Sequence, residues 1–181
     1  FIARRSHDRV GMVAFGAYAS TVSPLTIDHN VLRQLVRKLQ LGGIDGTKTA
    51  IGAGLGHALN RLKDSDAESQ VIVLLTDGDS NAGALAPEKA AQLAASTGSK
   101  VYTIQIGNGE DVDVFQGNDF FGQPRYARQR FPVNPELLKR IALTTGGESY
   151  IATDAKALAD SMHSVLDALE KTRFEASSAS Y

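Results

Sequence analysis

The feature that most constrains the fold of this chain is an uninterrupted aliphatic run, Val71–Leu75, followed at once by Thr76, Asp77 and Gly78. Five consecutive aliphatic residues are typical of a strand that is buried on both faces, as in parallel sheets covered by helices. Asp77 stands where this strand must end, and Gly78 permits a tight turn behind it. Because open parallel sheets bind ligands beyond the carboxyl ends of their strands, the run predicts a site that contains Asp77.

Strands alternate with amphipathic helices along most of the chain, after an opening β-hairpin. Strands are predicted at 9–15, 19–24, 71–75, 100–107 and 148–152, and helices are predicted to begin near Asp28 or Asn30, Thr49, Pro87, Pro135 and Asp154. This alternation favours one α/β domain with a mostly parallel sheet covered on both faces.

Composition excludes several classes of protein. The 181 residues include 19 basic and 20 acidic side chains, a balance that offers no electrostatic surface for nucleic acid or for an anionic membrane. No apolar run approaches the ~18 residues of a membrane span, and the absence of cysteine rules out disulfides and thiolate metal sites. Since the chain starts at Phe1 and not at Met, we expect it to be part of a longer protein.

Residues 108–132 form an unusually long connection between predicted elements. This insert mixes aromatic side chains with arginine, a composition found at protein interfaces. It is either a docking element or a flexible insert or small hairpin folded on itself. The candidate partner-binding residues are Phe120, Phe121, Arg125 and Tyr126. Beyond it, residues 176–181 are expected to form a frayed tail.

Oxygen-bearing side chains near the predicted sheet edge suit a hard divalent cation, which accepts one or two carboxylates together with hydroxyls and waters. Asp77 supplies a carboxylate, and Thr49 supplies a hydroxyl between a glycine-rich loop and a helix. Residues expected to lie around these two ligands are Asp45, Thr47, Gly78 and Asp79. The alternative is that Thr49 caps its helix and Asp77 caps the turn after its strand.

Three glycines, Gly52, Gly54 and Gly56, invite comparison with a dinucleotide-binding fingerprint. Their spacing is G-x-G-x-G, and they lie inside a helical stripe instead of following a strand. Close packing of the helix explains them better than nucleotide binding does.

The segments DRVGMVAFG at 8–16, DGTKTAIGAGLGHALNRLK at 45–63 and VIVLLTDGDSNAG at 71–83 together resemble a von Willebrand factor A domain. More narrowly, they resemble the bacterial aerotolerance group (BatA/BatB-like) associated with MoxR ATPases. The resemblance covers residues 1–175 and implies a three-layer α/β/α, Rossmann-like fold that carries a metal-ion-dependent adhesion site (MIDAS).

In the family this site combines a D-x-S-x-S motif, a threonine and an aspartate. Thr49 matches the threonine and Asp77 the aspartate, whereas no D-x-S-x-S occurs in the chain. The resemblance therefore implies that the first central strand and most of the first helix belong before Phe1. The gap in the sheet is expected to be filled by the parent protein, filled by a neighbouring chain in a strand-exchanged oligomer, or closed by pairing of Val13 with Val73.

The function implied by the resemblance is binding and not catalysis. A divalent ion, Mg²⁺ or else Mn²⁺ or Ca²⁺, bridges the domain to an Asp or Glu of a protein partner, although this shortened form lacks part of the ligand set. The family also implies the periplasmic face of the inner membrane, anchors outside this segment and a MoxR-type AAA+ ATPase in the same system. The competing functions are a metal-assisted hydrolase and a structural scaffold with an empty metal site.

Overall fold

The fold was analysed in a computed structural model that describes residues 7–39, 48–67, 69–109, 111–130 and 132–178. Within these ranges the elements, in chain order, are β1 (Val10–Phe15), β2 (Ala19–Thr26), α1 (His29–Lys38), α2 (Ile51–Leu62), β3 (Val71–Thr76), α3 (Pro87–Ser96), β4 (Lys100–Ile106), β5 (Asp111–Asn118), β6 (Pro124–Arg130), α4 (Pro135–Thr145), β7 (Ser149–Ala152) and α5 (Ala155–Ser178). The predicted alternation and the opening hairpin are confirmed.

The centre of the fold is a parallel three-stranded sheet in the order β3-β4-β7. One face of β3, with Ile72 and Leu74, packs with buried residues of α2, α3 and α4. The opposite face, with Val73 and Leu75, packs against α5. The α/β class and the covering of the sheet on both faces are therefore confirmed.

Strands β1 and β2 form a separate antiparallel pair, in which Val13 lies opposite Thr21. On β3, Val73 lies opposite Tyr102 of β4. Within the described residues, neither β1 nor β3 has a strand on its other edge. The predicted alternative in which Val13 pairs with Val73 is therefore wrong, because Val13 pairs with Thr21 of β2 and Val73 pairs with Tyr102 of β4.

Local sequence chemistry sets most helix ends. Asp28 accepts hydrogen bonds from the first amides of α1, and Asn134 accepts one from Leu137 N–H at the start of α4. Gly146 ends α4 in the left-handed region at φ 73°. Helix α5 continues to Ser178, and 179–181 lie outside the described residues, so the frayed tail at 176–181 stays a prediction.

The insert is a β-hairpin of β5 and β6, which pair antiparallel and with no other described strand. The described residues of 108–132 thus form a small hairpin, and its role as a docking element stays a prediction. The described helices, α5 included, lack the combination of length and apolar character that crossing a bilayer requires.

Candidate functional site

The site is built at the carboxyl edge of the sheet, where β3 ends. Buried Thr76 closes the turn there, because its hydroxyl accepts a hydrogen bond from Gly78 N–H at 3.3 Å and donates one to Gly78 O at 3.1 Å. The Asp77 side chain itself is exposed. The alternative in which Asp77 caps the turn is therefore wrong, since Thr76 performs that role.

Thr49 precedes α2 but does not cap it. The N-cap position is Ala50, and no side chain makes a capping bond there. The Thr49 backbone instead exchanges hydrogen bonds with Asn81: Thr49 N–H donates to Asn81 Oδ1 at 2.8 Å, and Asn81 N–H donates to Thr49 O at 3.1 Å. The capping interpretation of Thr49 is wrong, because Ala50 occupies the N-cap position and no side chain makes a capping bond there.

The Thr49 hydroxyl lies directly beside the residue that follows Asp77. A Cβ atom added to Gly78 would lie 3.1 Å from Thr49 Oγ1, which is tight van der Waals contact. The segment before α2 and the turn after β3 thus meet at one edge of the sheet. Because Gly78 has no side chain, the Thr49 hydroxyl can lie close to the backbone of this turn.

Of the acids expected around the two ligands, Asp79 lies in the described part of the chain and Asp45 does not. Asp79 Oδ1 accepts a hydrogen bond from Ser80 N–H at 2.8 Å, and Asp79 N–H donates to Pro132 O at 2.8 Å. Asp79 therefore organises the loop and ties it to the base of the hairpin. Asp45 and Thr47, which were also expected near the site, lie outside the described residues.

Two residues that the sequence did not single out, Ser80 and Asn81, make hydrogen bonds to the backbone of Thr49. Asn81 makes the contact with Thr49 described above, and Ser80 donates its hydroxyl to Thr49 O at 3.4 Å. Both belong to the polar run DGDSN after β3, so the signal that could have indicated them is their proximity to Asp77. The run could not reveal that the hydrogen-bonding partner of these two residues is Thr49, which lies about 30 residues earlier in the chain.

Gln105 is a third polar residue that the sequence did not single out. It lies opposite Thr76 in the parallel register of β3 and β4 and is 3% exposed. Its Nε2 donates to Gly107 O at 3.0 Å, while its Oε1 has no hydrogen-bond partner among the described residues. The floor of the site therefore contains one buried acceptor available to a donor such as water.

The oxygen donors present fit a small hard cation. Asp77 offers one carboxylate and Thr49 one hydroxyl, and Mg²⁺ commonly completes such a set with waters. Within the described ranges, no three Asp, Glu, His or Cys side chains cluster as a ready-made metal site. Any ion held here by described residues would therefore keep several positions for water or for other ligands.

The glycines of α2 serve packing, as expected. A Cβ atom on Gly52 would lie 1.9 Å from Leu85 O, and one on Gly54 would lie 2.9 Å from the Phe15 ring. Both glycines let α2 approach its neighbours closely, which fixes the position of the Thr49 segment at its start.

The candidate partner-binding residues lie on the outer half of the hairpin. Phe120 and Phe121 form its tip, and the Tyr126 ring meets the Phe115 ring edge-on with centroids 5.9 Å apart. Arg125 is also exposed. At its base, the hairpin adjoins the Asp77 loop through the hydrogen bond from Asp79 N–H to Pro132 O.

Comparison with known proteins agrees with this architecture. The family model of the von Willebrand factor type A domain matches residues 1–164. An uncharacterised protein of Borreliella burgdorferi is 31% identical over 157 residues, which cover 85% of this chain and 45% of that protein. The chain thus spans about half the length of this curated relative.

Solved structures share the fold at lower identity. An aerotolerance-related membrane protein from Bacteroides fragilis is 23% identical with a TM-score of 0.72, covering 94% of this chain and 83% of the other. BatB from Bacteroides thetaiotaomicron is 22% identical with a TM-score of 0.69, covering 92% and 83%. Proximal thread matrix protein 1 from the mussel byssus, solved with zinc in its MIDAS motif, is 20% identical with a TM-score of 0.61, covering 84% and 34%. On the family match over most of its length, this chain belongs to the von Willebrand factor type A domain family.

Proposed function

We propose that this chain is a protein-interaction module that binds an acidic side chain of a partner through a divalent ion held at Thr49 and Asp77. Domains of this family commonly mediate protein interactions through a MIDAS metal. The observation that carries the proposal is the proximity of the Thr49 hydroxyl to Gly78, the residue next to exposed Asp77: a Cβ atom added to Gly78 would lie 3.1 Å from Thr49 Oγ1.

Each residue has a distinct part in this proposal. Asp77 supplies the negative charge, and it is free to do so because Thr76 already closes the turn. Thr49 supplies a neutral oxygen, and its backbone is held by Asn81 so that the hydroxyl needs little reordering. A bound Mg²⁺, Mn²⁺ or Ca²⁺ would supply an open coordination position for the carboxylate of the partner.

The two donors are too few for tight binding by themselves. Further oxygens would come from water, from Asp45 or Thr47, and from a D-x-S-x-S segment, which the chain does not contain. We therefore expect this chain alone to bind a divalent ion weakly and a chain that also carries such a segment to bind it more tightly.

The setting of the interaction is also part of the proposal. The resemblance to the BatA/BatB-like group favours the cell envelope, on the periplasmic face of the inner membrane, with anchors outside this segment and a MoxR-type AAA+ ATPase in the same system. The free edges of β1 and β3 leave room for a strand supplied by the parent protein or by a neighbouring copy.

The test is calorimetric titration of Mg²⁺ and Mn²⁺ into this chain and into a form with a D-x-S-x-S segment joined ahead of Phe1. The variants are Asp77→Ala and Thr49→Val, and the matched control is Asp66→Ala, which removes an exposed acid before the other end of β3. We expect Asp77→Ala to abolish ion binding, Thr49→Val to weaken it and Asp66→Ala to leave it unchanged. The Asp77→Ala change should alter the free energy of unfolding by only ~0.5 kcal/mol.

The competing functions give different results in the same experiment. Absence of ion binding by both forms would support a structural scaffold. Ion-dependent turnover of phosphoester substrates, lost in Asp77→Ala, would support a metal-assisted hydrolase. Either result would replace the adhesion function proposed here.

A further inference from the structure

The β5–β6 hairpin is a long projection that the folded core does not require. Its strands pair only with each other among the described residues, from Asp111 opposite Arg130 to Asn118 opposite Pro124. Seven cross-strand levels at ~3.3 Å each give the hairpin a length of roughly 20 Å. It therefore carries its tip well away from its base beside the Asp77 loop.

The tip is apolar and fully presented to solvent. Phe120 is 106% exposed and Phe121 is 90% exposed, the two highest values among the large hydrophobic side chains described. Behind them, Phe115 and Tyr126 are each more than half exposed, at 55% and 62%. Exposed aromatic side chains grouped in this way usually mark a binding surface.

Four backbone amides of the turn at the tip donate hydrogen bonds within the turn. Asp119 Oδ1 accepts from Phe121 N–H at 2.8 Å and from Gln123 N–H at 2.9 Å. Asp119 N–H donates to Gln123 O at 2.8 Å, and Gly122 N–H donates to Asp119 O at 3.0 Å. These four amides therefore need no water when the tip enters a medium poor in hydrogen-bonding partners, which lowers the cost of a shallow insertion.

We propose that this tip inserts into the interfacial region of a lipid bilayer, with Phe120 and Phe121 as the inserting side chains. The proposal is independent of the metal site. Two phenylalanines bury at most ~300–500 Å², whereas each side of a stable protein interface buries ~800 Å². A bilayer accepts such a small wedge because it needs no complementary surface.

The distribution of polar groups fits a shallow position. The phenylalanine rings reach the boundary of the acyl chains, ~5–10 Å deep, which is the depth at which interfacial elements reside. Asp119, hydrogen-bonded to its own turn, remains with the headgroups. Tyr126 and Arg125, further back on β6, lie at the level where amphipathic and cationic side chains favour the lipid surface.

The test is co-sedimentation of the chain with vesicles of phosphatidylcholine alone and of phosphatidylcholine with one quarter phosphatidylglycerol. The variant is Phe120→Ser/Phe121→Ser, and the matched control is Leu93→Ser/Leu143→Ser, which removes two exposed leucines from α3 and α4. We expect the wild-type chain and the control to bind both vesicles. The phenylalanine variant should bind with a partition coefficient lower by on the order of 10- to 100-fold.

A fluorescence measurement reports insertion directly. The chain contains no tryptophan, so Phe121→Trp introduces a single probe at the tip. We expect its emission to shift to the blue on addition of vesicles and to be quenched by lipids brominated on their acyl chains. Failure of the wild-type chain to bind either vesicle, equal binding by the phenylalanine variant, or unchanged tryptophan emission would overturn the proposal. The first of these results would favour a protein groove as the partner of the tip.

Discussion

The packing of α2 gives the sharpest test of how the site is positioned. Gly52 lies one residue into this helix, and a Cβ atom there would lie 1.9 Å from Leu85 O and 2.8 Å from Leu85 C. An alanine Cβ atom and a carbonyl oxygen in normal contact lie about 3.4 Å apart. Gly52→Ala must therefore move the backbone near Leu85 by about 1.5 Å. Overpacking of this kind costs ~1–3 kcal/mol, and we expect the upper end because the obstacle is backbone.

Helix propensity works in the opposite direction and offsets ~1 kcal/mol of this cost. The expected net loss in the free energy of unfolding is therefore ~2 kcal/mol, which lowers the urea midpoint by about 1 M at an m value of ~2 kcal/mol/M. The matched control is Gly56→Ala, in the same helix. There the added Cβ would meet only Leu85 Cδ2, at 3.1 Å, so the flexible side chain can yield.

The assay is urea unfolding followed by circular dichroism for the wild-type chain and both variants. Gly56→Ala should be neutral or slightly stabilising. Equal stability of the two variants would refute the argument that the approach of α2 to Leu85 requires a glycine. Because Thr49 precedes α2 and Asn81 precedes Leu85, Gly52→Ala should also weaken ion binding.

Two further predictions concern polar groups away from the site, one buried and one partly buried. Thr145→Val should cost ~1–3 kcal/mol in urea unfolding, because buried Val101 N–H donates to Thr145 Oγ1 at 2.9 Å and would lose its acceptor; unchanged stability would contradict this. Burial, assisted by the hydrogen bond to Glu148, raises the pKa of Tyr150 above its ordinary value of 10.0. As the pH rises, the unfolded chain therefore loses the Tyr150 hydroxyl proton at a lower pH than the folded chain does. The free energy of unfolding should then fall above pH ~10. Urea midpoints at pH 9 and 11 should differ less in Tyr150→Phe than in the wild-type chain, and an equal difference would contradict the reasoning.

Features controlled by a few neighbouring residues could be predicted from the sequence. The burial of β3, the caps at Asp28 and Asn134 and the glycine stop at Gly146 all follow from local backbone chemistry. The edge position of Asp77 follows from the same aliphatic run. In each case, the interactions that decide the structure lie within a few residues of the feature itself.

Features that depend on distant residues could not be predicted. Thr49 has the side chain and the position of a helix cap. Its backbone N–H nevertheless donates a hydrogen bond to Asn81, and α2 starts without a side-chain cap. At the end of α1, Val36 and Leu39 are apolar and lie at helical spacing, yet they are 44% and 50% exposed. Gln105 gave no signal at all, since its burial depends on its position in the sheet.

The central claim, that Thr49 and Asp77 share one divalent ion, is tested most directly by nuclear magnetic resonance with paramagnetic Mn²⁺. Substoichiometric Mn²⁺ should broaden the backbone amide signals of Thr49, Gly78 and Asp79 first, and Asp77→Ala should remove this broadening while Asp66→Ala preserves it. Broadening that begins elsewhere, or that persists unchanged in Asp77→Ala, would contradict the claim.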